Sequence, residues 1–93
     1  MVVGVLQTEL YIPGVVSLKE KRMVLKSLKD RIRKKYNVSV AETGFQEKWQ
    51  RSHLVFALVG TSEAFVQEAL NKLFSALDSE QQFEIMNFTF EYL

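Results

Sequence analysis

The segment HLVFALVGTSEAFVQEALNKLFSAL, residues 53–77, carries the two hydrophobic patterns that decide the fold. Its opening run, HLVFALV, is almost continuously apolar, which is typical of a central β-strand. The residues Gly-Thr-Ser at 60–62 then supply a turn and a helix N-cap. Beyond them, apolar side chains recur at helical spacing at Val66, Leu70, Leu73 and Leu77. The segment therefore predicts a strand, a turn and an amphipathic helix that ends near Asp78–Ser79.

The same succession is found nearer the N-terminus. Residues 2–12 are rich in Val, Leu, Ile and Tyr, and a Pro-Gly pair ends this first predicted strand. Ser17 and Glu20 form a capping box, in which the hydroxyl accepts from the third helical amide and the carboxylate reaches back to the cap. A helix of about 20 residues follows, ending near Asn37. Its apolar face consists of Leu18, Leu25, Leu28, Ile32 and Tyr36.

Two more strands complete the pattern. Residues 38–43 suit a short second strand, and residues 45–52 form a polar, irregular loop apart from Phe45 and Trp49. In residues 83–92, apolar and polar side chains alternate well enough to predict a last strand. One side of that strand is predicted to carry Met86, Phe88, Phe90 and Tyr92.

The order strand, helix, strand, strand, helix, strand predicts an α+β fold, the ferredoxin-like βαββαβ sandwich, as a single domain over residues 1–93. Two helices would cover one face of a four-stranded antiparallel sheet, with the first and third strands in the centre. The other face would remain open and serve as a homodimer interface or a ligand platform. Its expected occupants are Val3, Val5, Met86, Phe88, Phe90 and Tyr92.

Composition excludes several kinds of chemistry. The chain has 93 residues, 47% of them hydrophobic and 25% charged, which indicates one small folded domain. It contains no cysteine and one histidine, so thiolate metal sites, His-cluster zinc sites and cysteine nucleophiles are ruled out. No glycine-rich phosphate motif is present. The N-terminus lacks the features of a signal peptide, and no apolar run is long enough to span a membrane. We expect a cytoplasmic protein without cofactor, metal or catalytic residues.

Charge is distributed unevenly along the chain. Residues 17–36 contain nine basic and two acidic side chains, a net charge of +7, whereas the remainder carries −6. Such polarity indicates an anionic partner more strongly than the overall charge of +1 does. The alternative is a solvated helix face that serves solubility, and the two interpretations stay open.

One face of the first helix is predicted to hold a row of cations, called here the basic stripe: Lys19, Arg22, Lys26, Lys29 and Arg33. These residues fall within an arc of about 80° beside the apolar face. Such a row suits a phosphate backbone and would bind RNA by shape and charge. A second candidate is the helix start, where Lys19, Lys21 and Arg22 surround unpaired amides that favour a phosphate. Because Ser17 and Glu20 already occupy two of the amides, the pattern favours an ordinary capped helix there.

The 45–52 loop is the third candidate. Trp49, Gln50 and Arg51 offer a stacking surface, an amide and a cation, which are the groups that contact unpaired RNA bases. The alternative is that Trp49 covers the core as a lid while Arg51 pairs with a carboxylate. Because tryptophan is usually highly buried, the pattern favours the lid.

Three stretches together resemble the bacterial YlxP-like family of small proteins of unknown function: SLKEKR at 17–22, NVSVAE at 37–42 and WQR at 49–51. The resemblance implies a ferredoxin-like fold and a gene near those for translation initiation and ribosome maturation. We therefore expect a non-catalytic binding protein for ribosomal RNA or a ribosomal particle. Two alternatives remain: a structural homodimer, and an acylphosphatase-like hydrolase, which shares the fold by analogy only. The turn at residues 12–16 lacks the arginine that such a hydrolase needs.

Overall fold

A computed structural model describes residues 1–93 and confirms the predicted element order. The elements are β1 (Val2–Tyr11), α1 (Leu18–Lys35), β2 (Ser39–Gly44), β3 (Arg51–Gly60), α2 (Glu63–Asp78) and β4 (Glu84–Tyr92). All strand pairs are antiparallel, and the sheet order is β2-β3-β1-β4. The first and third strands are therefore central, as predicted, and the fold is an α+β ferredoxin-like sandwich. Neither helix combines the length and apolar character needed to cross a lipid bilayer.

The core lies between the sheet and the two helices. Every second residue of β1 and β3 is buried, which matches the alternation of side chains along a strand. The helices contribute their predicted apolar faces. Fully buried members include Leu6, Leu10, Leu54, Phe56, Leu28, Leu70 and Leu73. The helices therefore take up one complete face of the sheet, and the opposite face has no covering layer.

Both helices begin at the predicted serine caps. The Ser17 hydroxyl accepts a hydrogen bond from the Glu20 amide at 3.1 Å, and the Ser62 hydroxyl accepts one from the Phe65 amide at 3.2 Å. The Glu20 carboxylate accepts from the amide of Val16, the residue before the cap, instead of the amide of Ser17, so the serine half of the predicted capping box is confirmed and the glutamate reaches one residue further back. Helix α1 ends at Lys35, two residues before the expected Asn37, because Tyr36 is already extended.

A β-bulge in β4 overturns the predicted orientation of its aromatic residues. Asn87 pairs with Glu9 and Ile85 with Leu10, which leaves Met86 as an extra residue. Beyond the bulge, the aromatic residues lie opposite buried positions of β1 and face the helices. The pairs are Phe88 with Thr8, Phe90 with Leu6 and Tyr92 with Gly4. The Phe88 ring packs 4.5 Å from the ring of Phe74 in α2.

The physical reason is that two apolar runs in β4 are out of phase. Phe83 and Ile85 pack against the core on one side of the bulge, and Phe90 does so on the other. Phe88 lies on the same side as Phe90 and packs on Phe74, although 48% of it remains exposed. Because a strand alternates with a period of two, one extra residue is needed to bring both runs to the same face. The prediction that Phe88, Phe90 and Tyr92 occupy the uncovered face was therefore wrong, whereas Met86 is the extra residue of the bulge and is 57% exposed.

The uncovered side of the sheet, called here the open face, has a different composition from the one predicted. It consists of Val3, Val5, Gln7, Glu9 and Tyr11 in β1, Arg51, His53, Val55, Ala57 and Val59 in β3, Ser39, Ala41 and Gly44 in β2, and Glu84, Asn87, Thr89 and Glu91 in β4. The predicted valines of β1 are among them. Tyr11, at the end of β1, is the one aromatic residue on these positions, so the centre of this surface offers nothing on which bases could stack.

Gly4 allows α2 to approach the centre of the sheet. A Cβ atom at this position would lie 2.4 Å from Cγ1 of Val66 and 2.7 Å from Cδ1 of Leu70, both in α2. These distances are far below van der Waals contact, so any side chain would force the helix away from β1. The close packing of α2 therefore depends on glycine at residue 4.

We expect Gly4→Ala to lower the free energy of unfolding by about 1–3 kcal/mol, because the added methyl group overpacks the core. Urea unfolding followed by circular dichroism measures this change. Val66→Ala removes the nearest methyl groups, so the double variant should be more stable than the sum of the two single effects predicts. A Gly4→Ala variant as stable as the parent would contradict this account of the packing.

Candidate nucleic-acid interface

Lys21 is in the first turns of α1, yet only 1% of it is exposed. Its ammonium group donates to the carbonyl oxygens of Phe45, Lys48 and Arg51 at 2.6, 2.7 and 2.9 Å. It also lies 2.9 Å from the carboxylate of Glu42. These partners use all three donors of the ammonium group. Lys21 is therefore not available to an external anion, and the expectation that it contacts nucleic acid is withdrawn.

Lys21 organises the loop between β2 and β3. This loop spans residues 45–50, since Arg51 and Ser52 already pair with β1 as part of β3. The loop turns its carbonyl oxygens inward, and Phe45 adopts a left-handed backbone conformation with φ of 58°. The Glu42 carboxylate accepts a further hydrogen bond from the buried hydroxyl of Ser52 at 2.8 Å. One ammonium group thus joins the helix, the loop and the ends of two strands.

The position of Lys21 had a signal in the sequence that the charge analysis overlooked. Lys21, Leu25, Leu28 and Ile32 are spaced by four, three and four residues, so Lys21 lies in the buried sector of the helix. A lysine in that sector must reach buried acceptors or leave the core. Glu42, at the end of a predicted strand, was the corresponding acidic partner. Their pairing was not recognisable because it depends on the path of a loop.

Trp49 is on the surface, with 52% of it exposed. The prediction that it covers the core was wrong, because Lys21 takes up the inner side of its loop and leaves no apolar cavity there. Trp49, Tyr11 and Arg51 line one shallow depression at the end of the sheet. Tyr11 was not among the predicted site residues.

Arg51 is held in place on two sides. Its guanidinium pairs with the carboxylate of Glu9, as one of the two sequence interpretations predicted. It also lies over the ring of Phe45, 4.5 Å from the ring centroid. The Trp49 depression therefore has a fixed cation in its wall, although the charge of that cation is largely balanced by Glu9.

The basic stripe lies along the side of α1 that adjoins β2. This orientation follows from Arg33, whose guanidinium donates to the carbonyl oxygen of Val40 in β2 at 3.2 Å. Lys26 pairs with Asp30 one turn away at 3.1 Å, and its hydrogen bond and charge lower the pKa of Asp30. The remaining members, Lys19, Arg22 and Lys29, form no ion pair within the chain.

The start of α1 is less suited to a phosphate than the sequence suggested. Ser17 already accepts from the Glu20 amide, and the Glu20 carboxylate binds the amide of Val16. A negative charge thus lies over the first turn, where an anion would have to bind. Lys19 and Arg22 are better regarded as members of the basic stripe. The contact between Glu20 and Val16 also occupies an amide of the turn after β1. An acylphosphatase-like hydrolase would bind phosphate in this turn, so the hydrolase alternative gains no support there.

Comparison with known proteins gives the family of the chain. Residues 3–90 match the family described as "Protein of unknown function (DUF503)". The chain belongs to this family. It is 37% identical over 82 residues to "Uncharacterized protein YlxP" of Bacillus subtilis (strain 168), an alignment that covers 88% of this chain and 89% of that protein. The resemblance to YlxP-like proteins is thereby confirmed, and neither description assigns an activity.

The three stretches on which the resemblance rested meet at one point of the structure. Lys21 belongs to the first stretch, Glu42 to the second and Arg51 to the third, and the Lys21 ammonium contacts both of the others. Gln50, also in the third stretch, donates from its side chain to the carbonyl oxygen of Val15. In this chain, therefore, these stretches form the structural attachment of the Trp49 loop to α1.

We expect Lys21→Met to lower the free energy of unfolding by about 3 kcal/mol, since it leaves the Glu42 carboxylate and several inward carbonyl groups without their donor. Urea unfolding measures the loss, and the fluorescence of Trp49 reports the loop. Lys19→Met is the matched control, because Lys19 is exposed in the same turn and should change stability by less than about 0.5 kcal/mol. Equal stabilities of the two variants would refute a structural role for the Lys21 ammonium.

Proposed function

We propose that this protein binds RNA without catalysing a reaction, and that its partner is ribosomal RNA or a ribosomal particle in the cytoplasm. The observation that carries the proposal is the row of cations on α1, of which Lys19, Arg22 and Lys29 have no intramolecular partner. An exposed row of unpaired cations is attracted to a polyanion and gains the release of its counterions on binding.

The length of the stripe favours a polyanion over a single phosphate group. From Lys19 to Arg33 the helix rises about 21 Å, with about one cation per turn. A single phosphate would meet only one or two of these side chains, whereas a nucleic-acid strand can run along all of them. If the stripe neutralises three to five phosphates, a plot of the logarithm of the affinity against the logarithm of the salt concentration should have a slope of about −2 to −4.

The stripe contains only Lys and Arg side chains, which position a nucleic acid through its phosphates and do not read its sequence. Recognition through the open face, as in sheet-based RNA-binding domains, lacks the aromatic residues that such domains carry on their central strands, because Tyr11 lies at the end of the sheet. Among the exposed aromatic side chains, Trp49 and Tyr11 lie together in the Trp49 depression, which is attached to α1 through Lys21, whereas Phe65 and Phe88 lie elsewhere on the surface. We therefore expect binding by shape and charge, with one unpaired base contacting Trp49.

A membrane surface is the other common partner of a basic amphipathic helix. Such a helix inserts its apolar face into the lipid. In α1 this face is already used, because Leu25, Leu28 and Ile32 are buried in the core. The packing of α1 therefore favours RNA over lipid as the anionic partner.

The double variant Arg22→Glu/Lys29→Glu should weaken binding to a structured ribosomal RNA fragment at least tenfold and flatten the salt slope by about 2. Fluorescence anisotropy at several salt concentrations measures both quantities. The matched control is Lys34→Glu/Lys35→Glu, which makes the same change of net charge on the same helix outside the stripe.

Two outcomes would count against the proposed contact surface. Unchanged affinity in the stripe variant means that the stripe does not touch the RNA. Equal losses in both double variants mean that only the total charge matters. Circular dichroism of each variant ensures that the comparison is made between folded proteins.

Trp49→Ala should weaken binding of RNA with an unpaired segment by about 1–3 kcal/mol and leave binding of a fully paired duplex unchanged. Trp49 is the only tryptophan of the chain, so quenching of the intrinsic fluorescence of the parent follows the same contact directly. Phe65→Ala, which removes another exposed aromatic side chain, is the control and should affect neither ligand. Loss of both kinds of binding on Trp49→Ala would contradict a contact specific to unpaired bases.

A further inference from the structure

The open face has an apolar centre and polar margins. Its central strands present Val5, Val55 and Ala57 next to one another, and Val59 at the end of β3 is 60% exposed. The acidic residues lie at the boundary: Glu84 and Glu91 on the edge strand β4, and Glu9 near the end of β1, where it pairs with Arg51. An uncharged centre with a polar rim is the usual anatomy of a protein–protein interface.

Both edges of the sheet are partly closed to a further strand. At the β2 edge, the carbonyl oxygen of Val40 accepts from Arg33, and that of Glu42 accepts from the side chain of Gln46 at 3.2 Å. At the β4 edge, the amide of Phe88 donates to the side chain of Asn87 at 2.9 Å. Side chains that occupy edge groups oppose association by strand pairing. Association through the sheet must therefore use its face.

The size of the open face fits one interface of ordinary area. Same-side residues are about 6.8 Å apart along a strand and strands about 4.8 Å apart, so each residue covers about 33 Å². The seventeen positions of the open face then give about 560 Å² in flat projection, and the accessible surface of protruding side chains is larger. A stable interface buries about 800 Å² on each partner. A stable dimer would therefore have to bury the complete face, because the apolar centre alone is too small.

We propose that the open face is the interface of a homodimer, in which two copies stack sheet to sheet about a two-fold axis. A second copy is favoured over a different protein because the two uncompensated charges of the face, Glu84 and Glu91, both lie on the edge strand β4. The centre of the face is therefore uncharged and offers a foreign partner little to recognise. Small side chains such as Val and Ala on two equal sheets can interdigitate, as the inner faces of a β-sandwich do. A two-fold axis brings the apolar centre of one copy onto that of the other.

This arrangement places the helices on the two outer surfaces of the dimer. Each copy of the basic stripe then remains exposed, and the two stripes lie on opposite sides. The proposal does not depend on RNA binding, because it rests on residues of the open face only. Failure of one proposal therefore leaves the other intact.

Light scattering coupled to size exclusion and sedimentation equilibrium, at micromolar to millimolar concentrations, test the assembly. The parent should approach twice its mass of 10.8 kDa. Val55→Glu puts a charge at the centre of the interface and should give a monomer. Val16→Glu makes the same change at a position that is 61% exposed outside the face, and it should remain a dimer.

Val59→Glu is the second interface variant and guards against misfolding, since this side chain is already largely exposed and its replacement leaves the core unchanged. Loss of the dimer in this folded variant supports the proposal. A parent that stays monomeric throughout the concentration range overturns it. A dimer that persists in both interface variants overturns it as well, because association must then use another surface.

Discussion

The end of the molecule that carries Trp49 and the start of α1 depends on the contacts of the Lys21 ammonium group. Burying a cation costs several kcal/mol unless it is paired and hydrogen-bonded, and here a carboxylate and a set of carbonyl groups meet that condition. The contact fixes the first turns of α1 against β2 and β3. It also fixes the β2–β3 loop, so the positions of the cationic helix and the exposed tryptophan relative to each other are set. Removing the charge would leave both features without a common support.

The sequence allowed the architecture to be predicted, because it depends on patterns that are local. Two strand–turn–helix successions with serine caps determine the order of elements, and the handedness of the crossovers determines which strands are central. The membership of the basic stripe was likewise available from helical spacing alone. Helix and strand ends differed by one or two residues, as at Tyr36 and Arg51, where tertiary pairing decides the boundary.

Non-local contacts account for what could not be predicted. Trp49 is exposed because Lys21 fills the inner side of the loop. The general preference of tryptophan for burial takes no account of a competing side chain from another segment. The orientation of Phe88 and Phe90 depends on which side of β1 is covered by helices. In each case two segments that are distant in sequence compete for the same space. The side-chain orientation therefore cannot be predicted from the residues of one segment alone.

The single extra residue at the Met86 bulge decides which side chains of β4 lie on the exposed face of the sheet. Without it, the residues after position 86 would exchange sides, and the three aromatic side chains of β4 would appear on the exposed sheet. That surface would then resemble a stacking platform, while Phe74 would lose its partners in the core. The insertion or deletion of one residue in an edge strand can therefore exchange an interface for a ligand-binding sheet in a fold of this kind. Among relatives, the length of β4 would be as informative about surface chemistry as the identity of its residues.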